Sequence, residues 1–412
     1  MKIAGQSLIL GLLGLVDLAR CSVLPNWNSY PSHDPAIENR TLDEIYAAAK
    51  KETGDLIVLW GGDGNNFTFL KLQTNSYSHC WKAVSQGVST IEAWQARFPE
   101  IKLNLTVDVS KYHDSRVNRQ FQRNGTDGAD IAVLQTLHDF GRWKREGRLL
   151  PYKPLKWEEI YTAVKDPHGA FVGAFICEQN DHVFPLHKSF PKLTGSILRQ
   201  LDQFGDLIYN TGLLNESKVP SSYGDFVRPE WKSKLTLTYP NDDDAITYLF
   251  SVIIDKYGWE WFESLVEQDV QWVRGTGEPA NYIAETNSTR SLSFTTNLNG
   301  AKNLASKTPE DAALLWPQTG AIFASTPRPE SAKLFMSWLL SDERQQGSGS
   351  YVVRKDLSSK SASVWDDEFT ALTQFATFME NRELVEWWRL QFETSIGSAQ
   401  GPSPVHSYYG SR

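Results

Sequence analysis

Positive charge is in short supply in this 412-residue chain: 41 lysines and arginines face 49 acidic residues, for a formal net charge of −8. That deficit excludes a broad basic surface for nucleic acid or anionic lipid. Long apolar runs are missing as well. The greasy stretch from Leu8 to Val16 is far shorter than the ~20 residues a membrane-spanning helix needs, and no later stretch qualifies. Cysteine is scarce, three in all, and none sits in a Cys-x-x-Cys pair. There is no Gly-x-Ser-x-Gly elbow, no His-Glu-x-x-His helix and no Walker loop. No catalytic residue, metal site or cofactor is assigned from sequence.

What is present is material for cores. Apolar residues make up 41% and charged residues 22% of the chain, and the length exceeds one compact domain. Met1-Lys2, the run from Leu8 to Val16, and Ala19-Arg20-Cys21 describe a secretory signal peptide over residues 1–21. Six Asn-x-Ser/Thr sequons follow, at Asn39, Asn66, Asn104, Asn124, Asn215 and Asn287. Together they predict an extracellular, secreted glycoprotein. An oxidising compartment would permit a disulfide between Cys80 and Cys177, although sequence does not show that they are close.

Residues 22–40, with Pro25, Pro31 and Pro35, read as an extended arm. Thr41-Leu-Asp-Glu44 is a capping box opening a helix to Lys51. Strands at 55–60, 101–107 and 130–135 alternate with helices at 91–98, 115–123 and 137–146. Farther on, strands at 207–210, 231–237, 270–274, 291–295 and 321–323 alternate with helices at 245–256, 259–267, 279–285 and 329–345. This alternation implies βα units and a largely parallel sheet.

Isolated candidates for chemistry have plain structural readings. Asp242-Asp243-Asp244 has the composition of a hard-cation site, but it stands where carboxylates favour a helix N-terminus. Trp387-Trp388 suggests a sugar platform, yet adjacent helix residues point apart, so core packing is the default. His182 and His187 sit five apart in an irregular stretch.

Several segments jointly resemble the extracellular solute-binding proteins of the ferric-iron and organic-anion type. They are Ile45-Tyr-Ala-Ala-Ala-Lys-Lys-Glu52 into Leu56-Ile-Val-Leu-Trp60, Ala129-Asp-Ile131, Leu207-Ile-Tyr-Asn-Thr211 and Val219-Pro-Ser-Ser-Tyr-Gly-Asp225. Pro229-Glu-Trp-Lys-Ser-Lys-Leu235 and Pro329 through Gln345 complete the set. Trp60-Gly-Gly-Asp63, Trp272-Val-Arg-Gly-Thr276 and Val353-Arg-Lys-Asp356 resemble the secreted fungal branch of that family. Residues 68–90 and 178–205 depart from its pattern, either as true loops or as errors of gene structure.

The resemblance implies a type II periplasmic-binding-protein-like α/β fold, two lobes joined by crossing strands that close on a ligand. Lobe one would span 41–170, with 312–412 returning to it, and lobe two 171–311. Ligand would sit at the C-terminal ends of strands. Those positions are Trp60, Gly61, Gly62, Asp63, Gln135, Thr136, Tyr209 and Asn210. From the second lobe they are Arg274, Gly275, Thr276, Asn287, Ser288, Thr289 and Arg290, and Trp316 joins them. Turn chemistry competes at Gly61, Gly62 and Gly275, and a salt bridge competes at Arg274. The tyrosine pair by which such proteins hold ferric iron has no counterpart at Asn287-Ser-Thr-Arg-Ser291, and Tyr408-Tyr409 lies in the tail. The expected ligand is therefore a small anionic or zwitterionic organic solute, with a metal chelate second. A monomer is expected, and no transporter partner is named. The competing class is a secreted enzyme on the same fold, thiamine-related or acting on carbohydrate. It would use Cys177 as nucleophile, or Asp63 and Glu278 as paired carboxylates.

Overall fold

The structure is a computed structural model that describes residues 34–62, 86–123, 128–177, 206–298, 301–311, 314, 316–347, 352–357, 372–401 and 406–407. Thr41 caps helix α1 (Leu42–Ala49) as the sequence predicts. The Glu44 N–H donates to Thr41 Oγ1 at 3.2 Å, and the Thr41 N–H donates to the Glu44 carboxylate at 2.7 Å. Strand β1 (Leu56–Gly61) follows, then α2 (Gln86–Arg97), β2 (Leu103–Asp108), α3 (Ser110–Arg123), β3 (Ile131–Leu134) and α4 (Leu137–Arg145). Strand β1 pairs in parallel with both β2 and β3. This is the βα alternation read from sequence, and β1 stands at its centre.

Helix α3 begins five residues earlier than its periodicity suggests. His113, Val117 and Gln120 are buried on it, so tertiary packing overrides the weak local helix preference of the Lys111-Tyr-His segment. Strand β4 (Val172–Cys177) also belongs to the first sheet. It pairs antiparallel with β10 (Trp316–Ile322), which in turn pairs antiparallel with β3.

The chain leaves this sheet after β4 and enters a second group of strands. Strand β5 (Leu207–Asn210) lies between β8 (Leu292–Ser293) and β9 (Leu304–Lys307), antiparallel to both. Strands β6 (Thr236–Thr238) and β7 (Gln271–Val273) form a parallel pair. Helices α5 (Asp244–Tyr257), α6 (Trp259–Val266) and α7 (Glu278–Ala284) complete this lobe. The extended run expected over 231–237 shortens to β6. Ser233 adopts φ 60, which ends extended backbone, and Pro229–Trp231 form a 3-10 turn. The chain returns through β10, giving the two-lobed α/β arrangement expected.

The single helix expected over 329–345 is two, α8 (Pro329–Leu339) and α9 (Asp342–Gly347). Between them, the buried Arg354 guanidinium donates to the Leu340 carbonyl at 2.8 Å. Of two C-terminal helices, the sequence reading anticipates only that Trp387-Trp388 lies on a helix, without its bounds. Helix α10 (Leu372–Glu380) packs on α4, while α11 (Arg382–Ile396) packs on α5 and α6. A last strand, β11 (His406–Ser407), pairs antiparallel with β2.

Each lobe has an aromatic core. In the first, Trp94, Phe98, Phe335 and Trp338 meet edge to face or tilted, with centroids 4.7–6.3 Å apart. In the second, Phe250 touches Trp261, Phe262, Phe294 and Phe392. Trp388 is buried and stacks on Trp259 at 5.4 Å, whereas Trp387 is half exposed. The pair therefore divides between core and surface. Within lobe one, buried Asp130 accepts from Arg328 Nε at 3.0 Å, Thr326 Oγ1 at 2.6 Å and the Ile57 N–H at 2.7 Å. This carboxylate ties β1 and β3 to the loop before α8.

Candidate functional site

The C-terminal ends of β1, β2 and β3 lie side by side, and Ser110 at the start of α3 fills the space between them. A Cβ on Gly61 would sit 2.1 Å from Ser110 Oγ. Glycine is needed there for close approach of α3, whatever else the position does. The Gln135 N–H donates to the same Ser110 hydroxyl at 3.3 Å, and Gln318 Nε2 donates to the Gly61 carbonyl at 3.3 Å. Trp60 is buried and stacked on Phe175 at 5.5 Å. Its carbonyl meets His113 Nε2 at 3.0 Å. Burial and the neighbouring Arg116 push the His113 imidazole down to about 3, so it is a neutral strut. The Gly62 N–H donates to the Asp108 carbonyl at 3.1 Å, Thr136 is buried at the head of α4, and Trp316 is buried against Phe375. Asp63 lies outside the described residues.

The same first turn of α3 reaches the other lobe. Lys111 Nζ lies 3.0 Å from Asp242 Oδ1 and donates to the Asn241 carbonyl at 2.8 Å. The Tyr112 hydroxyl donates to Asp242 Oδ1 at 2.9 Å. From the end of β7, Arg274 donates through Nε to Asp242 Oδ2 at 2.9 Å and through Nη2 to the Tyr112 hydroxyl at 2.8 Å. The Asp242 side chain is 0% exposed and that of Arg274 13%. Burial alone would raise the Asp242 carboxyl, but Lys111 and Arg274 outweigh it and hold the group below its ordinary range. Burial and Asp242 push the Tyr112 phenol up to about 12, so it stays protonated and donates to Asp242.

Of the expected second-lobe residues, the structure brings Arg274, Gly275 and Thr276 to this place. Gly275 has φ +86, the turn conformation glycine tolerates, and its carbonyl accepts from Thr238 Oγ1 at 2.9 Å. Asn287, Ser288, Thr289 and Arg290 are elsewhere. Ser288 Oγ donates to the Arg290 carbonyl at 2.9 Å, and Arg290 is bonded to the Asp269 carbonyl and carboxylate. Asp269 precedes β7 and Arg274 follows it, so the two arginines stand at opposite ends of that strand. Tyr209 is buried, and Asn210 Nδ2 donates to the Ile283 carbonyl at 2.7 Å. Asn210 thereby fastens β5 to α7.

Sequence reasoning missed Lys111 and Tyr112. They follow the C-terminal end of β2, and the rule applied at β1 and β3 would have found them. It also missed the part Asp242 plays. The three aspartates have three tasks: Asp242 joins the interlobe cluster, Asp243 caps α5 by accepting from the Ala245 and Ile246 N–H groups, and Asp244 pairs with Arg389. Among the described residues no group of three or more His, Cys, Asp or Glu side chains is placed to hold a metal ion. An open groove of about 570 Å³ lies between α4 and the C-terminal helices, where His138, Arg142 and Arg145 face Glu380 and Arg382.

Residues 206–349 match the family model described as bacterial extracellular solute-binding protein. Among solved structures, iron-bound HitA from Pseudomonas aeruginosa is 16% identical with a TM-score of 0.55, over 84% of this chain and 100% of that one. AfuA from Actinobacillus pleuropneumoniae, a periplasmic binding protein with fructose-6-phosphate bound, is 14% identical with a TM-score of 0.58, over 84% and 100%. The substrate-binding protein of an ABC transporter from Agrobacterium tumefaciens is 9% identical with a TM-score of 0.61, over 85% and 96%. A comparison with curated protein sequences found no match. The matched family and the similar structures are binding proteins rather than enzymes. Among the described residues no helix is long and apolar enough to cross a membrane. The chain thus has the two-lobed fold of the type II periplasmic binding proteins, and its residues 206–349 are similar to the bacterial extracellular solute-binding proteins.

Proposed function

We propose that this protein binds a small anionic or zwitterionic organic solute between its lobes, as a secreted monomer without catalytic turnover. The observation that carries this reading is the placement of Lys111 and Arg274, one from each lobe, at the strand ends where the lobes meet. Two cations with few competing carboxylates suit an oxyanion. Bare ferric iron is disfavoured because no group of three or more His, Cys, Asp or Glu side chains converges among the described residues, and a metal chelate is the second candidate. The division expected from sequence, lobe one over 41–170 with 312–412 and lobe two over 171–311, shifts at one point, because β4 (Val172–Cys177) pairs with β10 in the first sheet and so belongs to lobe one. Helix α11, which packs on α5 and α6, acts as a strap from the first unit to the second.

Secretion would follow removal of residues 1–21, and the resemblance of residues 60–63, 272–276 and 353–356 to the secreted fungal branch supports that reading. The exposed Asn39, Asn215 and Asn287 are the sequons suited to carry glycans. Asn104 is half-buried within β2 and is not. Asn66, Asn124 and Cys80 lie outside the described residues, and so does any Cys80–Cys177 bond.

The test is native mass spectrometry of the secreted protein, followed by release of bound small molecules on denaturation. A stoichiometric organic acid, phosphate ester or chelate supports the reading. Protein that carries no solute, and whose melting temperature is unmoved by a panel of such anions, contradicts it. Glycopeptide mapping of the same sample should find Asn215 and Asn287 occupied and Asn104 bare.

A further inference from the structure

We propose that Lys111 Nζ, the Tyr112 hydroxyl and the Arg274 guanidinium form an oxyanion cradle that the chain's own Asp242 carboxylate fills when no solute is present. When the lobes part and close again, the carboxylate or phosphoryl group of a solute takes Asp242's place among these donors. This rests on the reading of the cleft as the binding site and adds the group that the site recognises.

The donors come from two lobes, but the carboxylate belongs to one. Asp242 Oδ2 takes Arg274 Nε at 2.9 Å, and Oδ1 takes the Tyr112 hydroxyl at 2.9 Å and Lys111 Nζ at 3.0 Å. This set of guanidinium, ammonium and phenol around one planar anion is the arrangement a bound carboxylate or phosphate requires. Two cations meet a single carboxylate here, while nearby Arg116 is already matched by Asp108 at 2.5 Å. The surplus charge accommodates a dianion as readily as a monoanion.

Asp242 is also the aspartate that local structure can spare. Asp243 alone caps α5, so the Asp242 side chain can turn away without uncapping the helix. Asp130 shows the contrast, since it and its partner Arg328 both belong to the first lobe and gain nothing from lobe movement. When the lobes part, Lys111 and Tyr112 leave Asp242 and face the cleft with their donors open. A solute then competes with Asp242 for them, and its apparent affinity falls by the fraction of molecules that are self-occupied.

The experiment measures dissociation constants of inorganic phosphate and citrate by calorimetry at fixed ionic strength, for the wild type, Asp242→Asn, Lys111→Met and the double variant. The expected result is at least tenfold tighter binding in Asp242→Asn, with that gain abolished in the double variant. A folded Asp242→Asn that binds no tighter than wild type overturns the proposal. So does a double variant that keeps the gain, which would mark an adventitious ion only. Should Asp242→Asn fail to unfold cooperatively, the comparison passes to wild type and Lys111→Met. There, at least tenfold weaker phosphate binding in Lys111→Met supports the cradle, and anything less overturns it. A solute screen that finds nothing would remove the binding-protein reading without touching this result, because phosphate reports the cradle directly.

Discussion

Two charged clusters join the lobes, and they differ in how completely they are sealed. At the cleft, Asp242 has both oxygens matched by donors carried on α3 and at the end of β7. At the strap, Arg389 of α11 pairs with Asp244 of α5, while Arg382 of the same helix reaches Asp114 of α3 at 3.2 Å. One helix thus holds a carboxylate from each lobe. The strap cluster is under-satisfied: Asp139 Oδ2, Asp244 Oδ2 and Arg389 Nε are buried without hydrogen-bond partners among the described residues. A cluster whose donors divide cleanly between lobes can open and re-form, whereas the Arg389–Asp244 pair is buried and Arg382 stands half exposed at the edge of the strap. On the proposed reading the cleft cluster is the mouth and the buried Arg389–Asp244 pair the pivot.

Replacing Arg389 should break this contrast most severely. The residue is nearly fully buried, and its loss strands Asp244 as an uncompensated interior charge. Arg389→Met should cost about 3–5 kcal/mol in denaturant unfolding. A cost below ~1 kcal/mol would show that the strap is not a buried pivot.

At the mouth the cost should be smaller. Arg274→Ala leaves Asp242 with Lys111 and Tyr112, so stability should fall by about 2 kcal/mol, the worth of a charged hydrogen bond. Small-angle scattering should show a larger radius of gyration for this variant and none for Arg389→Lys.

Arg382 is half exposed, and Arg382→Ala should cost less than ~1 kcal/mol. A larger loss would extend the buried pivot to the surface.

The mildest expected effect is on acid titration. Arg40, bonded to Glu38, pulls that carboxyl from 4.5 down to about 2. Its stabilising contribution should be complete above pH 4.5 and disappear as pH falls towards 2. The Asp242 carboxyl, held low by Lys111 and Arg274, adds to the same acid-side loss below its ordinary value of 3.8. Melting temperatures between pH 6 and pH 2 should therefore drop less in Glu38→Gln than in wild type.

Where structure is set by neighbours in sequence, it was legible. The Thr41–Glu44 box, the Asp243 cap, Pro329 at the start of α8 and the β-rich runs around Trp60 and Ile131 are all local signals, and each stands where expected. Structure set by distant partners was not. Nothing near Asp242 announces Tyr112, 130 residues away, and nothing near Asp244 announces Arg389, 145 residues away. The aspartate triplet therefore reads as one cap, although it holds three separate functions. Asn287 to Arg290 were grouped with Arg274 on the family resemblance, although they follow a helix and precede β8 while Arg274 follows β7. Only the course of β7 shows that they face opposite ends. Ser233, with its positive φ, gives no sequence warning that the run from Trp231 will break. The bounds of the C-terminal helices escaped because their apolar faces are shared between two lobes.

The most direct test of the account is calorimetric titration of the solute identified by mass spectrometry into wild type and Arg274→Ala. The account predicts a loss of about 2–4 kcal/mol of binding, roughly thirty- to a thousandfold in affinity. Equal affinity in the two proteins would contradict it.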